Sequence, residues 1–270
     1  IAALVAGGAG AAILCSDHAA AASPSRCIDV HHHVFPTDYL ERAPGRMSAL
    51  LRSLPGVANW RAETALVDMD RDGVGTAVLS FPTPRSWPAD ILDQRALARA
   101  CNEYYARLVA DHPGRFGLFA GLPPLTDVDG ALAEIEYAFA TLGADGVRVM
   151  SVYGDKWLGD ASFTRVWEEL DRRGAVVFVH PDTGDCCSAL PNLASLELPL
   201  DTARTAASLW QSGALQRWPG IKFILSHGGG ALPMIAGRLR DRIVAAGEPD
   251  NSGLGDPLQT FRRLYYDTAN

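Results

Sequence analysis

Four histidines stand where imidazole side chains could bind a metal ion. His31 and His33 are two residues apart at the end of an apolar run, and His180 and His227 each end a later apolar run. Side chains two residues apart in an extended strand point to the same face, so His31 and His33 can reach one ion together. His32 points the other way and is predicted to be a hydrogen-bonded loop residue. The four positions together predict a metal site, and imidazole suits Zn, Fe, Co, Ni or Cu better than Mg or Ca.

The elements that must position these histidines alternate regularly along the chain. Short apolar runs, typical of buried strands, occupy 27–34, 75–81, 115–121, 145–150, 175–180, 221–227 and 264–269. Segments with helical spacing of apolar residues occupy 63–73, 90–112, 127–143, 162–174, 200–218 and 231–247. Buried strands each followed by a helix indicate an α/β fold with a parallel sheet. The regular recurrence of these strands along the chain predicts a (β/α)8 TIM barrel, which typically needs about 250 residues.

Seven strands can be assigned before the sequence ends at Asn270. A barrel that lacked its eighth strand would have two unpaired edges. An open doubly wound sheet would instead require a glycine-rich phosphate-binding turn after its first strand, where this chain has histidines. We therefore expect residues 27–270 to be an α/β (β/α)8 TIM barrel that is truncated before strand eight.

Residues 1–26 are predicted to be a separate leader. Residues 1–16 carry no charge and consist mostly of alanine, glycine and aliphatic residues, and a run of alanines follows. This pattern is typical of a signal peptide and predicts export to the periplasm or the exterior. The stretch is shorter than the roughly 20 apolar residues that a transmembrane helix would need. No basic segment precedes it, so a flexible alanine-rich extension is the alternative. The mature chain is predicted to have no membrane span.

The composition excludes several other classes of protein. The 31 acidic residues outnumber the 24 basic ones, and no dense basic stripe is present, so a nucleic-acid binder is not expected. Five cysteines, an odd number that includes the adjacent Cys186 and Cys187, do not describe a disulfide framework. The expected partner is therefore a small molecule, and the sequence leaves open whether the protein is a homo-oligomer.

Four segments resemble one branch of the amidohydrolase-related (amidohydrolase 2) family. They are Ile-Asp-Val-His-His-His-Val-Phe-Pro (28–36), Val-His-Pro (179–181), Ser-His-Gly-Gly-Gly-Ala-Leu-Pro (226–233) and Tyr-Tyr-Asp-Thr-Ala (265–269). The branch contains aminocarboxymuconate semialdehyde decarboxylase and the hydroxybenzoate-type decarboxylases. His-Pro-Gly-Arg-Phe-Gly (112–117) and Gly-Asp-Lys-Trp-Leu-Gly-Asp (154–160) are most similar to 6-methylsalicylate decarboxylase-like members.

This resemblance implies a metal-dependent, non-oxidative decarboxylase of a small aromatic or unsaturated carboxylic acid. It implies one divalent ion, zinc or manganese, bound by His31, His33 and His180, with His227 as the catalytic base or water-orienting group. It implies no organic cofactor. The family's further ligand, an aspartate of a Gly-Thr/Ser-Asp-Tyr-Pro strand, has no counterpart here, and Asp267 in its strand-seven context is expected to support the site or the structure. Decarboxylases of this branch usually work in the cytoplasm, which stands against the export that the leader predicts.

Two residues are candidates for contact with the substrate. Trp87 can form an aromatic wall over a planar ring, or it can anchor its loop on the barrel rim. Arg61 can pair with a carboxylate, or it can simply begin a helix on the surface. Arg85 and Arg148 are further candidates that the sequence does not rank.

Two other functions remain open from the sequence. A mononuclear metal-dependent hydrolase of the same superfamily would act on a lactone, amide or ester. A binuclear hydrolase is disfavoured, because strand four ends in Arg148-Val149-Met150 and not in the lysine or glutamate that bridges two metals. A non-catalytic exported metal- or ligand-binding protein is the third possibility.

Overall fold

The computed structural model describes five stretches of the chain, residues 27–42, 55–81, 90–182, 194–245 and 254–269. The predicted leader, Arg85, Trp87 and the adjacent Cys186 and Cys187 lie outside the described residues. Within the described ranges, no helix combines the length and the apolar character that a membrane span requires.

The chain divides into two compact units, which are described separately. The first contains the described residues up to Pro123, with Ala133–Val147 and Ala269. The second contains Pro124–Leu132 and Arg148–Thr268.

In the first unit, strands alternate with helices along the chain. The elements are β1 (Cys27–His33), α1 (Thr37–Arg42), α2 (Pro55–Ala58), α3 (Ala62–Arg71), β2 (Val74–Ser80), α4 (Ile91–Asp111) and β3 (Phe116–Gly121). Helix α5 (Val128–Ala140) and strand β4 (Gly146–Met150) cross the boundary between the units. The strand order is β1-β2-β3-β4, and the pairs β1–β2 and β2–β3 are parallel.

The second unit continues the same alternation. Its elements are β5 (Val152–Tyr153), β6 (Lys156–Trp157), α6 (Thr164–Arg172), β7 (Val176–His180), α7 (Ala194–Gln211), α8 (Ala214–Arg217), β8 (Lys222–Leu225), α9 (Leu232–Ala245), α10 (Pro257–Phe261) and β9 (Tyr265–Tyr266). The strand order is β4-β7-β8-β9, with β7–β8 and β8–β9 parallel. Strands β5 and β6 form a separate antiparallel hairpin.

The seven apolar runs of the sequence thus become the seven strands of the main sheet, in chain order. Two details differ from the sequence-based expectation. The hairpin β5–β6 was not predicted, because its strands are only two residues long and carry no periodic signal. Helix α7 includes residues from Ala194 onward, although Pro199 lies inside it; a proline lacks the N–H for a helical hydrogen bond, so the pattern suggested a start at Leu200.

The core of the first unit holds the end of β1 in place. Strand β3 is buried on both faces, as expected for a strand covered by helices. The hydroxyl of Tyr105, in α4, donates a 2.6 Å hydrogen bond to the carbonyl of Val34. Because Val34 directly follows His33, this bond fixes the chain where β1 ends.

The core of the second unit packs α6 against the strands. Trp167 is fully buried, and its ring lies 5.8 Å from that of Phe223 in β8, centroid to centroid. Its indole N–H donates to the carbonyl of Leu158 (3.0 Å), so its one polar atom is satisfied. Helix α6 therefore holds β8, the strand that leads to His227.

Candidate metal centre

His31 and His33 form a pair at the carboxyl end of β1. Their ring centroids are 4.8 Å apart in an edge-to-face arrangement, and a ring nitrogen of one lies within 4.8 Å of a ring nitrogen of the other. Both residues are half-buried. The two imidazoles lie side by side, as their spacing predicts, and are close enough to serve one ion.

A bulge in β1 accompanies this pair. Asp29 is opposite Ala77 and His32 is opposite Leu79, so three steps along β1 match two along β2. A bulge of this kind bends a strand and turns its side chains, which is common next to functional sites. The histidines therefore follow a local distortion and not a regular strand.

Asp29 supports the histidine segment, a contact that the sequence reasoning missed. Its carboxylate accepts the backbone N–H of His31 (2.9 Å) and contacts Nδ1 of His32 (3.0 Å). Burial tends to raise the pKa of Asp29, but the bonds and charges of His32 and His31 outweigh burial and lower the pKa below its ordinary value. His32, predicted to be a loop residue, is instead part of β1 and orders its end. The aspartate three residues before His32 was the available signal.

His180 ends β7 and is buried in the second unit. Its Nδ1 lies 2.9 Å from the carbonyl oxygen of Pro181. A carbonyl can only accept a hydrogen bond, so Nδ1 carries the proton and Nε2 of the neutral ring keeps its lone pair for a metal. The carbonyl of His180 accepts the N–H of Ser151 (2.9 Å), which ties the ends of β4 and β7 together.

His227 follows β8 in an unusual backbone conformation. Its φ is 54°, in the left-handed region that residues other than glycine rarely adopt. It begins a short 3₁₀ helix, His227–Gly229, and its ring lies 5.4 Å from that of His180, centroid to centroid. Such strained positions cluster at functional sites, where the surroundings hold them in place.

The other candidate residues have less specific surroundings. Arg61 is exposed and immediately precedes α3, where it makes no side-chain capping bond. Arg148 is buried in β4, and one of its terminal nitrogens lies 3.6 Å from the sulfur of Met150. Asp267 is buried at the end of β9, and its Oδ1 accepts the N–H of Gly228 (3.2 Å). The structure thus brings the histidines together as two pairs, one in each unit.

Comparison with known proteins agrees with this fold. Residues 28–249 match the family model described as amidohydrolase. A 6-methylsalicylic acid decarboxylase of Penicillium expansum is 38% identical over 257 residues, covering 90% of this chain and 76% of that protein. A decarboxylase of Penicillium terrestre is 39% identical over 236 residues, covering 82% of this chain and 68% of that protein.

A solved structure is similar over most of the chain. It is a dihydroxybenzoic acid decarboxylase from a Polaromonas species with bound manganese and the inhibitor 2-nitroresorcinol. Its identity to this chain is 25% and its TM-score is 0.72, covering 89% of this chain and 77% of that one.

Alternating strands and helices, with histidines at the carboxyl ends of the strands, define the class as that of metal-dependent TIM-barrel enzymes. The chain belongs to the amidohydrolase family. The fold class and the family that the sequence predicted are both confirmed.

Proposed function

We propose that this protein is a metal-dependent, non-oxidative decarboxylase of a small aromatic carboxylic acid of the hydroxybenzoate type. The observation that carries the proposal is the set of histidines at the ends of β1 and β7 and two residues after β8. The decarboxylases at 38% and 39% identity support the reaction type.

We assign His31, His33 and His180 as the ligands of one divalent ion. The chemistry of the donors fits such an ion, since His31 and His33 are paired and the protonated Nδ1 of His180 leaves Nε2 as a ligand. Carboxyl ends of parallel barrel strands lie at one face of the fold, which supports a shared site. Imidazole donors suit zinc, and the manganese of the Polaromonas structure supports manganese. When bound, the ion would orient the substrate carboxylate and act as a Lewis acid.

His227 is the group we assign to proton transfer. Decarboxylation breaks the bond between the ring carbon and the carboxylate, carbon dioxide leaves, and a proton must be delivered to that carbon. An imidazole nitrogen of His227 can deliver a proton to the ring carbon as carbon dioxide leaves and then take up a proton from solvent, which restores the group for the next turnover. The left-handed backbone at His227 supports this role, because it aims the ring beside that of His180.

Substrate binding and location remain proposals based on the sequence. Trp87 is proposed as an aromatic wall and Arg61 as a partner of the carboxylate; the exposed position of Arg61 equally suits a surface residue that begins α3. No organic cofactor is needed for these roles. Export is proposed from the leader, with the cytoplasm as the alternative.

The direct test is to load the protein with manganese or zinc and supply 6-methylsalicylate or 2,6-dihydroxybenzoate. We expect release of carbon dioxide in amounts equal to the phenolic product, and loss of this release when a chelator removes the metal. Acid release from lactones without carbon dioxide would assign a hydrolase instead. Tight metal binding without turnover of any of these compounds would assign a binding protein.

A further inference from the structure

A buried carboxylate at the end of β9 holds the turn that carries His227. The backbone N–H of Asp267 donates to the carbonyl of Leu225 (3.1 Å), and Oδ1 of Asp267 accepts the N–H of Gly228 (3.2 Å). One of these partners precedes His227 by two residues and the other directly follows it. Asp267 is therefore hydrogen-bonded to the chain on both sides of His227.

The turn 227–230 has a backbone conformation that needs support from its surroundings. His227, Gly228, Gly229 and Gly230 have φ values of 54°, 61°, 81° and 60°. Glycine adopts this conformation freely, whereas a histidine is strained in it and returns to other conformations unless its neighbours prevent this. The strain thus falls on the one residue of the turn that has a side chain, and that residue is the proposed acid–base group.

Two hydrogen bonds close the turn itself, from the N–H of Gly229 to the carbonyl of Ser226 (3.0 Å) and from the N–H of Gly230 to the carbonyl of His227 (2.8 Å). The contacts of the turn with other segments lie further from His227. A Cβ on Gly229 would be 2.7 Å from the ring of Tyr266, and a Cβ on Gly230 would overlap the carbonyl oxygen of Pro199. The same carbonyl accepts the N–H of Ala231 (3.0 Å). These contacts fix the later part of the turn, whereas the carboxylate of Asp267 acts on the peptide group next to His227.

We propose that Asp267 is a positioning residue for His227. By binding the N–H of Gly228, its carboxylate keeps His227 in the left-handed conformation and its ring beside that of His180. Asp267 is 8% exposed, and shielding from water strengthens a hydrogen bond to a charged acceptor. The effect of Asp267 on catalysis rests on the proposed function. Its structural effect, which is to fix the turn 227–230 through the N–H of Gly228, does not.

The chain offers a matched control for this bond. Oδ1 of Asp171 accepts the N–H of Gly220 (2.7 Å), just before β8 begins. Asp171→Ala and Asp267→Ala each remove one carboxylate that binds a glycine N–H near the same strand, but only Asp267 contacts the residue after His227. Asp267→Asn keeps an acceptor oxygen at the same position and serves as the conservative variant.

Steady-state kinetics on the metal-loaded proteins test the catalytic part. We expect Asp267→Ala to lower kcat roughly 10- to 100-fold, since small misplacements of a catalytic group have effects of this order. KM and bound metal should stay within about 2-fold, and Asp267→Asn should recover most of kcat because it still accepts the bond. Asp171→Ala should leave kcat unchanged. Equal losses in Asp267→Ala and Asp171→Ala, or a full loss in Asp267→Asn, would overturn the inference.

Amide hydrogen exchange and histidine ring NMR signals give a readout that needs no activity. In Asp267→Ala the amide of Gly228 should exchange at least about 10-fold faster and the His227 ring signals should shift, whereas Asp171→Ala should affect Gly220 alone. If the wild type does not release carbon dioxide, the proposed function fails, but these signals still test whether Asp267 fixes the turn. Unchanged exchange at Gly228 and unchanged His227 signals would show that it does not.

Discussion

Removal of the Asn102 side chain, Asn102→Ala, should strongly destabilise the first unit. Asn102 is fully buried in α4, and its amide makes three hydrogen bonds. It donates to the carbonyl of Gly121 (2.9 Å), accepts the N–H of Gly121 (2.8 Å) and donates to the carboxylate of Glu134 (2.8 Å). These bonds connect α4 to the end of β3 and to α5.

The size of the effect follows from the kinds of bond that are lost. Two neutral bonds contribute about 1 kcal/mol each, and a bond to a charged group contributes about 1.5–3 kcal/mol. Their sum predicts a decrease of about 3.5–5 kcal/mol in the free energy of unfolding. For a chain of this size, each kcal/mol corresponds to about 2–4 °C, so Tm should fall by roughly 7–20 °C.

Urea unfolding followed by circular dichroism, together with the Tm, measures this change. Asp93→Ala is the matched control, because Asp93 is an exposed polar residue of the same helix and its loss should change stability by less than about 0.5 kcal/mol. A decrease below about 1 kcal/mol for Asn102→Ala would refute the reasoning, because buried backbone groups of Gly121 would then not depend on the amide.

Three further results are expected. His180→Ala should abolish stoichiometric metal binding, measured by elemental analysis; full retention of metal would remove His180 from the ligand set. His227→Ala should keep most of the metal while turnover falls roughly 10²- to 10⁴-fold, the usual contribution of an acid–base group, and loss of the metal as well would contradict the assigned role. The hydrogen bonds of Arg172 and, after the opposing effect of burial, the bonds and charge of Arg173 lower the pKa of Glu169 from 4.5 to about 2. The stabilisation by Glu169 is therefore present above pH 4.5 and is lost as the pH falls through about 2. The difference in unfolding free energy between wild type and Glu169→Gln should shrink over that pH range. A difference that stays constant over the range would contradict this pH dependence.

Much of the fold and of the candidate site is encoded locally and can be predicted from the sequence. Each strand of the main sheet is a short apolar run, and each histidine of the candidate site lies at the end of such a run. A local sequence pattern therefore predicts both the strands and the positions of the histidines. The adjacency of His31 and His33 agrees with their spacing, because alternate residues of a strand share a face, although a bulge at this point of β1 was not predicted. The family motifs point to the same residues.

The contacts that hold these histidines in place depend on the tertiary structure. Asp267 and Gly228 are separated by 39 residues, and Asn102 and Gly121 by 19, so each pair meets only when elements that are distant along the chain pack together. Periodicity describes which face of an element is buried but not which partner lies against it. The left-handed conformation of His227 is likewise not signalled by its residue type, because residues other than glycine rarely adopt it. The sequence alone therefore determined the strands and the metal-binding residue types, and the packing of distant segments decided how each histidine is held.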